Sequence, residues 1–100
     1  MLHHFEWDPD KARSNLIKHG VSFEQARGIF ADPYLLSIPD DGHSNDEDRE
    51  ISMGIEPRGE TLVVVHTARW HANEERTRII SARRANRQEE MLYYSRRVPR

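Results

Sequence analysis

The run Leu62-Val63-Val64-Val65-His66-Thr67 limits the possible folds more than any other part of the chain. A strand with apolar, largely β-branched residues at consecutive positions has no face to give to water. It must therefore lie in the middle of a sheet covered on both sides. With 100 residues there is room for one such sheet, and residues 1–100 read as a single domain. Hydrophobic residues make up 36% and charged residues 32%, so the covering layers are thin and the surface densely charged. No apolar stretch exceeds four residues, against the ~20 that a membrane helix needs. The amino terminus lacks the basic region and apolar core of a signal peptide, which makes the cytoplasm the expected location.

Capping and turn signals around that strand lay out the order β-α-α-β-β-β-β-α. A short strand at Phe5–Trp7 leads to Asp8-Pro9, a cap followed by a proline suited to the first helical position. The helix runs to Lys18 or His19, and Gly20 ends it in the left-handed conformation. Ser22-Phe23-Glu24-Gln25 is a capping box in which Gln25 reaches back to the cap. It starts a second helix with Phe23, Ala26, Ile29 and Phe30 on its apolar face, stopped at Asp32-Pro33. Strands are predicted at Tyr34–Ile38, Glu47–Ile55, Leu62–Thr67 and Arg76–Arg83. Between them lie an acidic loop from Pro39 to Asp46, a hairpin at Pro57-Arg58-Gly59-Glu60 and a polar turn over Arg69–Glu75. Asn86-Arg87-Gln88-Glu89 is a second capping box opening a last helix through Ser95, and the tail Arg96–Arg100 reads as mobile. The fold class is α+β: an antiparallel sheet with a helix pair on one face and a C-terminal helix partly covering the other.

Net charge is only −2, but its distribution is lopsided. Residues 1–60 carry 6 Lys/Arg against 13 Asp/Glu, and residues 61–100 carry 9 arginines against 4 glutamates. Guanidinium groups suit bidentate contact with phosphate or carboxylate. Arg49, Thr67, Arg69 and Arg83 fall near the half-covered face, although register between strands is not readable from one sequence. Such a cluster would grip a phosphodiester. With a proton carrier nearby it would cleave RNA by attack of a 2′-hydroxyl on the adjacent phosphorus. His19, His66 and Glu50 are the candidate proton carriers. The structural alternatives are His19 as a partner of the helix dipole and His66 as a core residue. Trp70 either stacks on a base or meets a partner. The absence of cysteine excludes disulfides, thiolate zinc sites and a cysteine nucleophile. No histidine spacing fits a metal site, no serine sits in an elbow motif, and no glycine run would cradle a phosphate, so no cofactor is expected.

Two segments carry a family likeness. Phe5-Glu6-Trp7-Asp8-Pro9, with Lys18-His19-Gly20-Val21-Ser22-Phe23, resembles the opening of the BrnT family of type II toxins. Glu47 and Arg49, the Leu62–Thr67 run with Arg69, and Arg78-Ile79-Ile80-Ser81-Ala82-Arg83 continue it towards Tyr93. The resemblance implies a bacterial ribonuclease toxin of RelE-like fold that inhibits translation and growth. It also implies a BrnA-like antitoxin with a ribbon-helix-helix DNA-binding domain, a 2:2 complex, and contact with operator DNA only through the antitoxin. Carried onto matching positions, it points to Lys18, His19, Arg49, His66, Arg69, Arg78 and Arg83. On this reading Arg49, Arg69 and Arg83 hold the scissile phosphate, and His19 or His66 moves protons. Lys18 and Trp70 contact the rest of the RNA, and Arg78 contacts flanking phosphates or pairs with the acidic half. The rival reading is a non-catalytic regulatory protein whose exposed face grips a partner. A DNA-binding regulator in its own right is disfavoured by the net charge.

Overall fold

The computed structural model describes residues 2–41 and 49–97. His43, Glu47 and the tail Val98–Arg100 lie outside the described residues. The elements are β1 (Leu2–Glu6), α1 (Pro9–His19), α2 (Phe23–Arg27), a 3-10 turn (Gly28–Ala31), β2 (Leu36–Pro39), β3 (Arg49–Ile55), β4 (Thr61–His71), β5 (Glu74–Arg84) and α3 (Arg87–Arg97).

Local chemistry sets the helix ends. The Asp8 carboxylate accepts from the Asp10 amide, and Gly20 closes α1 at φ +68°. Ser22 caps α2 by accepting from the Gln25 amide, but the Gln25 side chain does not reach back to the cap as expected. Its Nε2 donates instead to the Glu60 carboxylate at 3.0 Å, a charged acceptor and so a stronger one. The box at α3 is complete: Asn86 Oδ1 accepts from the Glu89 amide, and Glu89 Oε1 accepts from the Asn86 amide. Arg96 and Arg97, expected in the mobile tail, belong to α3.

The five strands form one sheet in the order β1-β5-β4-β3-β2. It is mixed rather than purely antiparallel, because β1 pairs parallel to β5 at the edge. The expected turn over Arg69–Glu75 is also corrected. Both strands run through those polar residues, and only Ala72 and Asn73 turn, with φ of +49° and +68°. Positive φ at both positions is what a two-residue hairpin matching strand twist requires.

The sheet divides two layers of core. Val21, Phe23, Ala26 and Ile29 meet Leu62, Val64, Ile79 and Ala82 on the face of the helix pair. Met53, Val63 and Tyr93 meet on the other. As the sequence requires, the apolar stretch Leu62–Val64 of β4 is buried on both sides. Tyr93 is the buried residue of α3, while neighbouring Tyr94 is exposed. The Tyr93 hydroxyl donates to Asp32, which also accepts from the amides of Tyr34 and Ile55. No described helix is long and apolar enough to cross a membrane.

Two long-range devices shape the sheet where the site lies. At β5 an extra residue, Ile80, is inserted between the pairs Val65–Ser81 and His66–Ile79. The bulge lets Ile79 and Ala82 share a core although they are an odd number of residues apart. Beyond Glu6, β1 no longer covers the edge of β5, and α1 takes over. The buried Asn15 carboxamide donates to Ala82 O at 2.8 Å and accepts from Ala82 N at 3.1 Å. One side chain thus makes both hydrogen bonds of an edge strand, and it donates a further one to Val21 O at 3.0 Å.

Candidate active site

Strand register decides which arginines meet. Arg49 of β3 lies opposite Thr67 of β4, Thr67 lies opposite Arg78 of β5, and Arg78 lies opposite Glu6 of β1. Two residues further along β4, Arg69 faces Arg76. These positions alternate with Leu62 and Val64, which face the helix pair, so they belong to the opposite, half-covered face. With Lys11 of α1 and Ile80 at the bulge, they line one cavity of about 540 Å³.

Carboxylates hold these like charges together. Arg78 Nη1 donates to Glu6 Oε2 at 3.0 Å, and Arg76 lies 4.0 Å from Glu6 and 3.8 Å from Glu74. Arg49 Nε donates to Asp40 Oδ2 at 3.1 Å. Among these acids only Glu6 lines the cavity. The pairs of Arg76 and Arg78 with Glu6 and Glu74 are exposed and worth about 1 kcal/mol or less, whereas the Arg49–Asp40 pair is part-buried.

A second cavity of about 330 Å³ runs between α1 and β5, lined in part by Lys18, His19 and Ser81. Lys11 and Ile80 belong to both cavities. Lys18 and His19 therefore stand beside the arginine cavity rather than in it.

Three other expected residues lie apart. Arg83 is on the arginine face, but Val63, its partner, is four residues from Thr67 along β4, about 13 Å of strand. Both its terminal nitrogens donate to Glu89, at 2.7 and 2.8 Å, and so tie β5 to the start of α3. The pairing raises the Arg83 pKa and lowers that of Glu89. His66 is buried on the opposite face, its ring edge-on to Phe30 with centroids 4.9 Å apart. Trp70, next to Arg69 on β4, alternates away from the cavity and is exposed. Glu6, Lys11 and Arg76 were missed in sequence. Arg76 carried a signal, since it precedes Arg78 by two residues on one strand and must share its face.

The model of the family described as "Ribonuclease toxin, BrnT, of type II toxin-antitoxin system" matches residues 7–89. The chain belongs to the BrnT family. Membership implies an RNA target and an antitoxin partner. The crystal structure of the Brucella abortus ribonuclease toxin BrnT is similar, with a TM-score of 0.62 at 20% identity over 87% of this chain and 100% of that one. At that identity the likeness is one of BrnT-like fold. No curated protein matches the chain.

In this BrnT-family chain His66 is the buried inner end of a hydrogen-bond chain that starts at exposed Ser37. Ser37 Oγ and Ser52 Oγ lie 2.6 Å apart, and Ser52 Oγ lies 2.6 Å from His66 Nε2. Burial lowers the His66 pKa below 6.5, outweighing the raising influence of the Thr67 carbonyl, Glu50 and Glu75. The folded state then prefers the neutral ring. Its stabilising contribution is complete above the unfolded pKa and is lost as pH falls from 6.5 through the lower folded value. Urea midpoints should drop between pH 7.5 and pH 5.5, a window above the carboxylates. In His66→Gln that drop should shrink, and an equal drop in both proteins would refute the assignment.

Proposed function

We propose that the arginine cavity is the active site of a metal-independent, RelE-like endoribonuclease acting in the cytoplasm. One observation carries the reading: Arg49, Arg69, Arg76 and Arg78, from three adjacent strands, line a single concavity with Lys11 and one carboxylate. In this mechanism the 2′-oxygen of a bound ribonucleotide forms a bond to the adjacent phosphorus while the bond from phosphorus to the 5′-oxygen breaks. Glu6 accepts the 2′-hydroxyl proton and Lys11 protonates the departing 5′-oxygen. The products are a 2′,3′-cyclic phosphate and a 5′-hydroxyl. The arginines stabilise the charge that builds on the phosphoryl oxygens, each good donor contributing about 3 kcal/mol. They fill the role a divalent cation takes in other nucleases. His66 and Arg83 have structural parts in this reading, and His19 is not the base.

The antitoxin in this reading is a BrnA-like ribbon-helix-helix protein in a 2:2 complex, and operator DNA is bound only through it. The net charge of −2 supports that division of labour, since phosphate contacts dominate DNA affinity.

The test is cleavage of RNA by the purified chain in the presence of a chelator, with fragment ends mapped. The wild type should leave cyclic phosphate ends. Arg49→Ala, which spares Glu6, should cleave about 10²-fold more slowly. Arg58→Ala, on the distant β3–β4 turn, should match the wild type. Equal rates for Arg49→Ala and wild type, or cleavage only with added metal, would reject the reading.

A further inference from the structure

The arginine cavity accounts for one phosphodiester, yet the concave surface does not end there. Lys11 and Ile80 form a wall common to the arginine cavity and the groove between α1 and β5. Along that groove Lys11, Ser14 and Lys18 follow one another three and four residues apart, so they form a row on one side of α1. From Lys11 to Lys18 the helix advances about 10 Å. Asp10, the acid at the same groove, is paired with Arg13. The row is also held in place. The Asn15 carboxamide fixes α1 to Ala82, and Arg84 Nη1 donates to the His19 carbonyl at 3.0 Å.

We infer that this groove is a track for the backbone of single-stranded RNA flanking the scissile linkage. Lys11 bridges the two cavities, Ser14 offers a hydroxyl between the lysines, and Lys18 holds a phosphate distant from the cleaved one. The inference rests on the ribonuclease reading of the arginine cavity. RNA is favoured over an acidic protein segment because the groove adjoins, across Lys11 and Ile80, the cavity that seats the reacting phosphate. A strand bound there is already aimed along it. The substrate class that follows is an oligonucleotide extending beyond the cleaved dinucleotide, with contacts to phosphates and little to bases.

The test compares binding of a dinucleotide and an octanucleotide, both carrying 2′-deoxyribose at the scissile position, by the wild type, Lys18→Ala and Lys18→Arg. The wild type should bind the octanucleotide more tightly and with a steeper dependence on salt. Lys18→Ala should lose about tenfold of that advantage, and its slope of log affinity against log salt should flatten by about 0.7, the value of one lost phosphate contact. Lys18→Arg should restore both. If Lys18→Ala keeps the octanucleotide advantage and the slope, the track is refuted while the arginine cavity stands. The same holds if the variant loses only its grip on the antitoxin, which would assign the row to protein binding. If the wild type binds neither oligonucleotide, the ribonuclease reading itself has failed.

Discussion

Glu6→Gln should bind RNA more tightly than the wild type and cleave it about 10²–10⁴-fold more slowly. Glu6 is the carboxylate of the cavity lining, 3.0 Å from Arg78 and 4.0 Å from Arg76. In the free protein it is a counter-ion that competes with phosphate for those two guanidinium groups. Glutamine keeps its shape and removes its charge, so the competition ends and affinity rises. If Glu6 also takes the 2′-hydroxyl proton, the same change removes the base, and turnover falls although substrate is held better. The opposite signs separate the two roles. Binding is read with an oligonucleotide carrying 2′-deoxyribose at the scissile position, and cleavage by single-turnover rates. A variant that binds better and also cleaves faster would show Glu6 to be a counter-ion alone, and another group would have to be the base.

Asn15→Leu should be the most damaging change outside the site, at roughly 3–5 kcal/mol of folding stability. Leucine branches at Cγ as asparagine does but is bulkier and has no polar atom, so overpacking adds to the loss of hydrogen bonds. Asn15 is buried and serves Ala82 N, Ala82 O and Val21 O with one carboxamide. Without it, those backbone groups lose a partner in a place where the chain has no strand to supply one. Three unsatisfied groups at about 1–3 kcal/mol each set the upper range, and local relaxation lowers it. A domain of this size has a total stability of only about 5–15 kcal/mol, so the variant should be close to unfolding at 37 °C. Urea denaturation measures the loss directly. A cost below about 1 kcal/mol would mean that α1 does not hold the edge of β5.

What could be read from the sequence was local. Asp8, Gly20, Ser22 and the Asn86–Glu89 box each act within a few residues of themselves, and they fix the helix ends. The double burial of β4 was legible because consecutive apolar residues leave a strand no wet side. What was hidden was distant or phase-dependent. Parallel pairing of β1 with β5 joins residues more than 70 positions apart, and Asn15 meets Ala82 across 67. The strands around Ala72-Asn73 looked like loop because Arg69–Glu75 is polar, yet ladder hydrogen bonds hold it in the sheet. The arginine cavity was half legible. Arg49, Arg69 and Arg78 stand out in the sequence, but their company of Glu6, Lys11 and Arg76 depends on register and on a helix placed at a sheet edge. Arg83 resembles a phosphate ligand in the sequence because nothing local shows that Glu89, a cap residue, is also its counter-ion.

The extra residue at Ile80 splits β5 into two halves whose side chains are out of step by one. Were β5 a regular strand of the same length, Arg76 and Arg78 would share a side with Ala82 rather than with Arg83. Loss of the Ile80 codon would not have that effect, because Ile79 and Ala82 would then stand two residues apart. The ladder would become regular with Arg76, Arg78 and Arg83 still on one side and Ile79 and Ala82 on the other. What would disappear is the wall residue common to the two cavities, so a one-codon deletion here would reshape the site and leave the side-chain parity of the strand untouched.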